Sequence, residues 1–224
     1  MININKFEDI EIKKSSQNVD YFEALKFMEN RVENILLNKE KELIWFLNHD
    51  HIYTQGTSAK NNEIISKVKV PIIKTNRGGK TTYHGPGQRI IYLMIDLNKR
   101  KKDIRKFVNI IEESLVMILN DLDIEAKTFP NRVGIWVTKS KNKKLSKEKK
   151  IGAIGLRIKK WVTYHGLSFN LNPQLKYYQN IHACGLKNYS NTSIEDLKYK
   201  LNLKDFDKLF LENFEKKLKK FKFL

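Results

Sequence analysis

Cys184 is the only cysteine in the 224-residue chain, and it sits in a short polar connection, His182-Ala-Cys184-Gly-Leu. With no partner for an internal disulfide it is a packed hydrophobe, a reactive thiol or an intermolecular partner. A thiolate is the nucleophile of acyl transfer, and it forms where a cation or a helix N-terminus depresses the thiol pKa. His182 is a tempting base, but residues two apart on an extended segment share a direction without being guaranteed contact. A second signal is Lys150-Ile-Gly-Ala-Ile-Gly-Leu-Arg157, a lysine ahead of two glycines in an otherwise apolar stretch. An amine carried into a sheet interior loses hydration and exchanges its proton more readily. Taken alone, each of these residues also has a plainer reading: Lys150 as the last lysine of a basic loop, Cys184 as an inert core thiol.

The sharpest local signal is Arg77-Gly-Gly-Lys-Thr-Thr-Tyr-His-Gly-Pro-Gly-Gln88, which holds four of the ten glycines. Glycine at that density lets the backbone turn tightly and approach a ligand, and exposed N–H groups can hold a carbonyl or phosphate oxygen. A plain hairpin would not need Arg77, Tyr83 and His84 threaded through it, so the stretch is expected to face a ligand. The spacings of a P-loop and of a dinucleotide fingerprint are both absent. Tyr164-His165-Gly166 repeats the Tyr-His-Gly of residues 83–85, although a lone histidine such as His165 is more often a structural hydrogen-bonding group. The five histidines have no HExxH spacing and one cysteine cannot build a zinc cage, so no metal site is expected.

These residues need a scaffold, and the periodicities supply one. Apolar residues recur at helical spacing from Val19 to Asn38, with Asp20 as N-cap, and again from Asp103 to Leu122. ELIWFLN (42–48), VPIIKT (70–75) and RIIYLMIDL (89–97) read as strands. VGIWVT, KIGAIGLRI and WVTYHGLSFNLN suggest an antiparallel meander, with the basic run from Lys139 to Lys150, Lys150 itself excepted, as a solvated loop between the first two. Thr192 and Glu195 have capping-box spacing, and Asp205 to Phe223 has the pattern of a basic amphipathic helix. Four prolines and no linker or repeat point to a single catalytic domain over 1–224, with 191–224 as a helical C-terminal part.

A hydrophobic content of 41% supplies a core, and no run is long enough to span a membrane. The N-terminus lacks an apolar signal segment and carries Glu8, Asp9 and Glu11, so the expected compartment is the cytoplasm. The formal charge of +18 favours acidic partners without choosing among them, and the abundance of Lys, Asn and Ile throughout makes part of it compositional.

Together, RGGKTTYHGPGQ, KIGAIGLRI, YHGLSFNLN and HACGL resemble, in order and approximate spacing, the lipoyl(octanoyl) transferases, the octanoyl-carrier-protein:protein octanoyltransferases. The resemblance runs from about Trp45 to Cys184. It implies an α/β fold of the α+β type, a mixed sheet flanked by helices, similar to the catalytic fold of biotin and lipoate protein ligases. It implies that Cys184 carries the acyl thioester and that Lys150 lowers the thiol pKa and moves protons. It also implies an acyl pocket lined by Arg77, Gly78, Gly79, Lys80, Thr81, Thr82, Tyr83 and His84, by Ala153, Ile154 and Gly155, and by Gly166, Leu167 and Ser168. The implied partners are an acyl carrier protein as octanoyl donor, with lipoyl domains of 2-oxoacid dehydrogenase complexes and the glycine cleavage H protein as acceptors. No nucleic acid or membrane partner is implied. A thioester already stores the acyl-bond energy, so no cofactor is called for. One departure stands out: the family commonly has two prolines after the position of His49, where this chain has Asp50 and His51. The alternatives are an amidotransferase or an ATP-dependent lipoate ligase of the same fold and, from charge alone, a nucleic-acid-binding module.

Overall fold

The computed structural model describes residues 10–67, 69–130, 132–141, 143–182 and 189–221. Cys184 lies outside the described residues. The chain opens with strand β1 (Ile10–Asn18), helix α1 (Tyr21–Leu36), β2 (Glu42–Asn48), β3 (Ile52–Gln55), β4 (Ile72–Lys74), β5 (Thr81–His84) and β6 (Gln88–Met94). It continues with α2 (Ile104–Asn120), β7 (Ile124–Lys127), β8 (Ile135–Ser140), β9 (Lys143–Lys159), β10 (Val162–Asn170), β11 (Ser190–Asn191) and α3 (Leu203–Leu218).

Among the described residues the main sheet runs in the order β1-β2-β6-β10-β9-β8-β7, with β11 also paired to β9. The β1–β2 and β11–β9 ladders are parallel and the others antiparallel, so the sheet is mixed and flanked by helices. A small sheet, β4-β3-β5, stands beside it and carries the glycine-rich loop between β4 and β6.

Helix α1 begins where expected, because the Asp20 side chain accepts the N–H groups of Phe22 and Glu23. Its buried stripe of Ala24, Met28, Val32 and Ile35 packs against Trp45, Tyr92 and Tyr164 on one face of the sheet. On the other face α2 and α3 cover Phe46, Leu93 and Phe169 with Phe107, Ile111, Phe206, Phe210 and Phe214. Burying each of these large side chains stabilises by roughly 1.5–3 kcal/mol. Arg89 on β6 and Asp207 on α3 form a buried bidentate pair at 2.9 and 2.7 Å, tying that helix to the sheet centre.

Two expectations are corrected here. The basic run is not a solvated loop: β8 extends to Ser140 and β9 begins at Lys143, so most of its lysines lie on paired strands. Consecutive ladder bonds offset the repulsion of neighbouring ammonium groups, with Lys141, Lys144 and Lys147 exposed to water. The capping-box spacing of Thr192 and Glu195 opens a turn, not a helix, because Thr192 Oγ1 donates to the Asp196 carboxylate and Ser193 Oγ accepts the Asp196 N–H. The helix starts later, at Leu203, behind an Asn202 cap.

Candidate active site

Lys150 faces the α1 side of the sheet because of an irregularity in one ladder. Ile135 pairs with Gly152 but Trp136 pairs with Lys150, so β9 carries one extra residue, Ile151. The extra residue keeps Ile151 in the α2–α3 core and turns Lys150 to the face of Trp136. The ammonium is buried, donates to the Val133 carbonyl at 2.9 Å and lies 5.3 Å from the Trp136 ring centroid. The next peptide N–H, of Gly134, donates to Glu112 Oε1 on α2 at 3.2 Å. Burial raises the Glu112 pKa, opposed by the Gly134 N–H and by the charge of Lys150.

A cavity of about 330 Å³ extends from Lys150 along β9, β10 and β6 beneath the glycine-rich loop. That is at the small end of ligand-sized cavities, which run from about 300 to 1,000 Å³. Lys150 and Gly155 are five positions apart on β9, about 16 Å at the rise of an extended strand. Ala153, Gly155, Gly166, Leu167 and Ser168 form its floor, with Ile90, Tyr92, Val133 and Ile154 adding apolar wall. Arg77, Gly79, Lys80, Thr82 and His84 close it from the loop side.

The three segments expected to line a pocket are thus brought together. Gly78, Thr81 and Tyr83 belong to the same loop but do not line the cavity. Gly78 docks the loop on β9 by donating to the Leu156 carbonyl at 3.1 Å. The Thr81 N–H goes to buried Glu63 at 2.8 Å, and Tyr83 lies in a separate aromatic cluster with Tyr53 and Tyr178.

Arg77 serves the shape of the loop. Its guanidinium donates to the carbonyls of Thr54, Gly78 and Lys80 at 2.6, 2.9 and 2.6 Å and to Thr54 Oγ1. Burial holds His165 and His84 neutral, each with a pKa pushed down to about 3, helped at His165 by the Arg77 charge and at His84 by His49 and, to a smaller extent, Arg77. Both are fixed by partners: His165 Nε2 meets Asn76 Oδ1 at 2.8 Å and His84 Nδ1 meets Gln88 Oε1 at 2.7 Å. His49, also lowered by burial, spans the Val19 carbonyl and the Tyr92 hydroxyl at 2.6 and 2.7 Å. The three histidines at this end of the cavity therefore form a neutral hydrogen-bonded belt beside the Arg77 guanidinium.

The segment that contains Cys184 is bounded by placed residues on both sides. Before it, the His182 N–H donates to the Glu63 carbonyl at 2.7 Å. After it, the Tyr189 ring packs on Trp136 at 5.1 Å, and the Arg132 guanidinium covers both rings at 4.5 and 4.6 Å. Ser190 and Asn191 then pair with Lys149 and Lys150, and the Thr192 N–H donates to the Lys150 carbonyl at 2.9 Å.

Sequence reasoning did not single out Tyr21, Ser58, Ile90, Tyr92, Arg132 or Val133, all of which line the cavity, and it read His165 as structural. Ile90 and Tyr92 carried a usable signal, since alternate residues of a strand share a face. The other four, Tyr21, Ser58, Arg132 and Val133, arrive from distant loops or helix ends with no local motif.

Residues 20–215 match the sequence profile of the lipoyl protein ligase A/B catalytic domain. A curated relative from Bartonella tribocorum, named octanoyltransferase, is 42% identical over 211 residues, covering 92% of this chain and 86% of the relative. Another of that name, from the Wolbachia of Culex pipiens, is 44% identical over 90% of this chain and 96% of its own. Among solved structures, a lipoate-protein ligase A bound with ATP superposes with a TM-score of 0.67 at 16% identity, over 93% of this chain and 86% of that one. A bi-partite lipoate protein ligase from Thermoplasma acidophilum gives a TM-score of 0.65 at 13% identity, over 94% and 84%. The last two carry the fold, the first two the identity: the chain belongs to the lipoyl protein ligase A/B catalytic domain family, among its octanoyltransferases.

Proposed function

We propose that this transferase moves an octanoyl group from an acyl carrier protein through a thioester on Cys184 to a lysine of a lipoyl domain. The observation that carries the reading is the placement of a buried ammonium at one end of a narrow, largely apolar cavity. The strand that follows Cys184, β11, pairs with Lys150 itself.

In the first half-reaction the Cys184 thiolate, stabilised by the Lys150 ammonium, attacks the carbonyl of the carrier thioester. The carrier thiolate leaves and takes a proton from Lys150, so the products are acyl-Cys184, a carrier thiol and a neutral amine. In the second, the acceptor amine attacks acyl-Cys184 and gives its proton to Lys150 as the Cys184 thiolate departs. The starting pair is restored with atoms and charges balanced.

The apolar walls bind the chain, at about 0.8 kcal/mol per buried methylene. The acceptors are lipoyl domains of 2-oxoacid dehydrogenase complexes and the H protein, and the positive charge of the surface suits acidic carriers and acceptors. The whole chain acts as one catalytic domain in the cytoplasm; no helix of the described residues is long and apolar enough to cross a membrane.

Intact-mass measurement after mixing with octanoyl carrier protein tests the reading. The expected product is an octanoyl adduct that hydroxylamine removes, absent from Cys184→Ser and strongly slowed in Lys150→Ala. Equal labelling of Cys184→Ser would refute the thioester. Incorporation of free octanoate with ATP by Cys184→Ala would replace it with a ligase.

A further inference from the structure

Lys150 and Glu112 hold opposite ends of a single peptide group. Lys150 Nζ donates to the Val133 carbonyl at 2.9 Å, and the N–H of that same amide, on Gly134, donates to Glu112 Oε1 at 3.2 Å. Gly134 adopts φ +125°, a backbone conformation that side-chain-bearing residues rarely reach, and a Cβ there would lie 2.6 Å from Lys150 Cε and 2.6 Å from the Gly152 carbonyl. The amide is therefore aimed, with its carbonyl toward the ammonium and its N–H toward α2. Glu112 is 7% exposed on a helix whose other inward residues include Phe107, Ile111 and Leu115. A buried carboxyl in such company is costly without a partner.

We propose that Glu112 is a positioning residue for Lys150: through the Val133–Gly134 amide it fixes where the ammonium rests, and by its charge it favours the protonated amine. A carboxylate on the N–H side polarises the amide so that its carbonyl becomes a better acceptor for Lys150. The charge of Lys150 in turn opposes the rise that burial causes in the Glu112 pKa. Among the described residues, other charged groups at this end are Arg132, whose guanidinium is spread over Phe129, Trp136 and Tyr189, and Glu148, which it reaches at 3.4 Å. Glu112 is thus the carboxylate that senses Lys150 from the helical side of the sheet.

The proposal rests on Lys150 handling the protons of acyl transfer, and the experiment separates the two ideas. The rate of octanoyl-adduct formation from octanoyl carrier protein is measured from pH 6 to 10 for wild type, Glu112→Gln and Glu112→Asp, with unfolding temperatures alongside. Glu112→Gln keeps an oxygen for the Gly134 N–H but loses the charge. Its alkaline limb is expected to move down by about half to one pH unit, because the ammonium has lost a favourable neighbour, with a several-fold slower rate at pH 8. Glu112→Asp keeps the charge on a shorter stem, so acylation slows while the pH limbs stay in place. A residue with only a structural role would lower the rate or the unfolding temperature without moving a limb.

A Glu112→Gln profile superimposable on wild type overturns the proposal. Should Glu112→Gln fail to fold, Glu112→Asp decides, and a wild-type rate or a displaced limb in that variant overturns it equally. Absence of any adduct on the wild-type enzyme refutes the acyl-transfer reading instead.

Discussion

The Gly78 N–H meets the Leu156 carbonyl at 3.1 Å, and this bond seats the glycine-rich loop on the strand that carries Lys150. A Cβ at Gly78 would stand 2.6 Å from that carbonyl oxygen, closer than real contacts allow. The Gly78→Ala protein is expected to remain folded, with about 1–3 kcal/mol less stability, because the strain is confined to one loop. Since the loop roofs the cavity, acyl transfer should fall by up to about a hundredfold, the scale of a misplacement near 1 Å. Steady-state transfer rates and urea unfolding check the two parts separately.

Arg89 and Asp207 are 4% and 2% exposed, so removing Asp207 leaves the Arg89 charge stranded between sheet and helix, whereas Asp207 also has Lys14 at 3.2 Å. Asp207→Ala should cost about 3–5 kcal/mol in urea unfolding. The double change Arg89→Met, Asp207→Leu should recover much of that loss, because it removes both charges together.

His84 and His165 predict acid sensitivity. Each has a pKa near 3 when folded, well below the unfolded value near 6.5, so between those limits the unfolded chain binds protons that the native state refuses. Stability is fully present above about pH 6.5 and falls as the pH drops toward 3, by up to about 1.4 kcal/mol per pH unit for each group. His165 has φ +56°, which asparagine tolerates well. The His165→Asn protein should therefore show a shallower loss between pH 6 and 4, read from urea midpoints.

Thr81 and Thr82 both bury hydroxyl oxygens that have no hydrogen-bond partner among the described residues, but only Thr82 lines the cavity. Valine at either position removes an unsatisfied group at nearly constant shape, so stability should stay level or rise by up to about 1 kcal/mol. Thr82→Val should nonetheless raise KM for the acyl donor several-fold while Thr81→Val leaves it unchanged. Equal effects of the two would show that the place of Thr82 in the cavity wall does not bear on donor binding.

The sequence reading reached furthest where a local pattern has only one physical use. Asp20 before a helical stripe, and glycines crowded between Arg77 and Gln88, both led to the elements expected. It failed where long-range pairing overrides local character. A run of lysines reads as a solvated loop until a partner strand supplies ladder bonds on either side of its turn, as β8 and β9 do for each other. Glu112 was invisible for a related reason. On its helix it interrupts an apolar stripe, and its use appears only once Gly134, 22 residues later, turns its N–H back toward α2. The turn of Lys150 toward the cavity was equally hidden, because the additional residue in β9 is defined by its register with β8.

The helical cover of the sheet has a consequence for biosynthesis. Phe206, Phe210 and Phe214 close the face formed by Phe46, Leu93 and Phe169, and Asp207 supplies the counter-charge of Arg89. A nascent chain that has left the ribosome only as far as β10 has therefore made nearly all its strands while one side of them is still greasy and carries an uncompensated guanidinium. Such a precursor is a natural client for chaperones, and translation stalled before α3 should yield aggregates instead of a partly active enzyme.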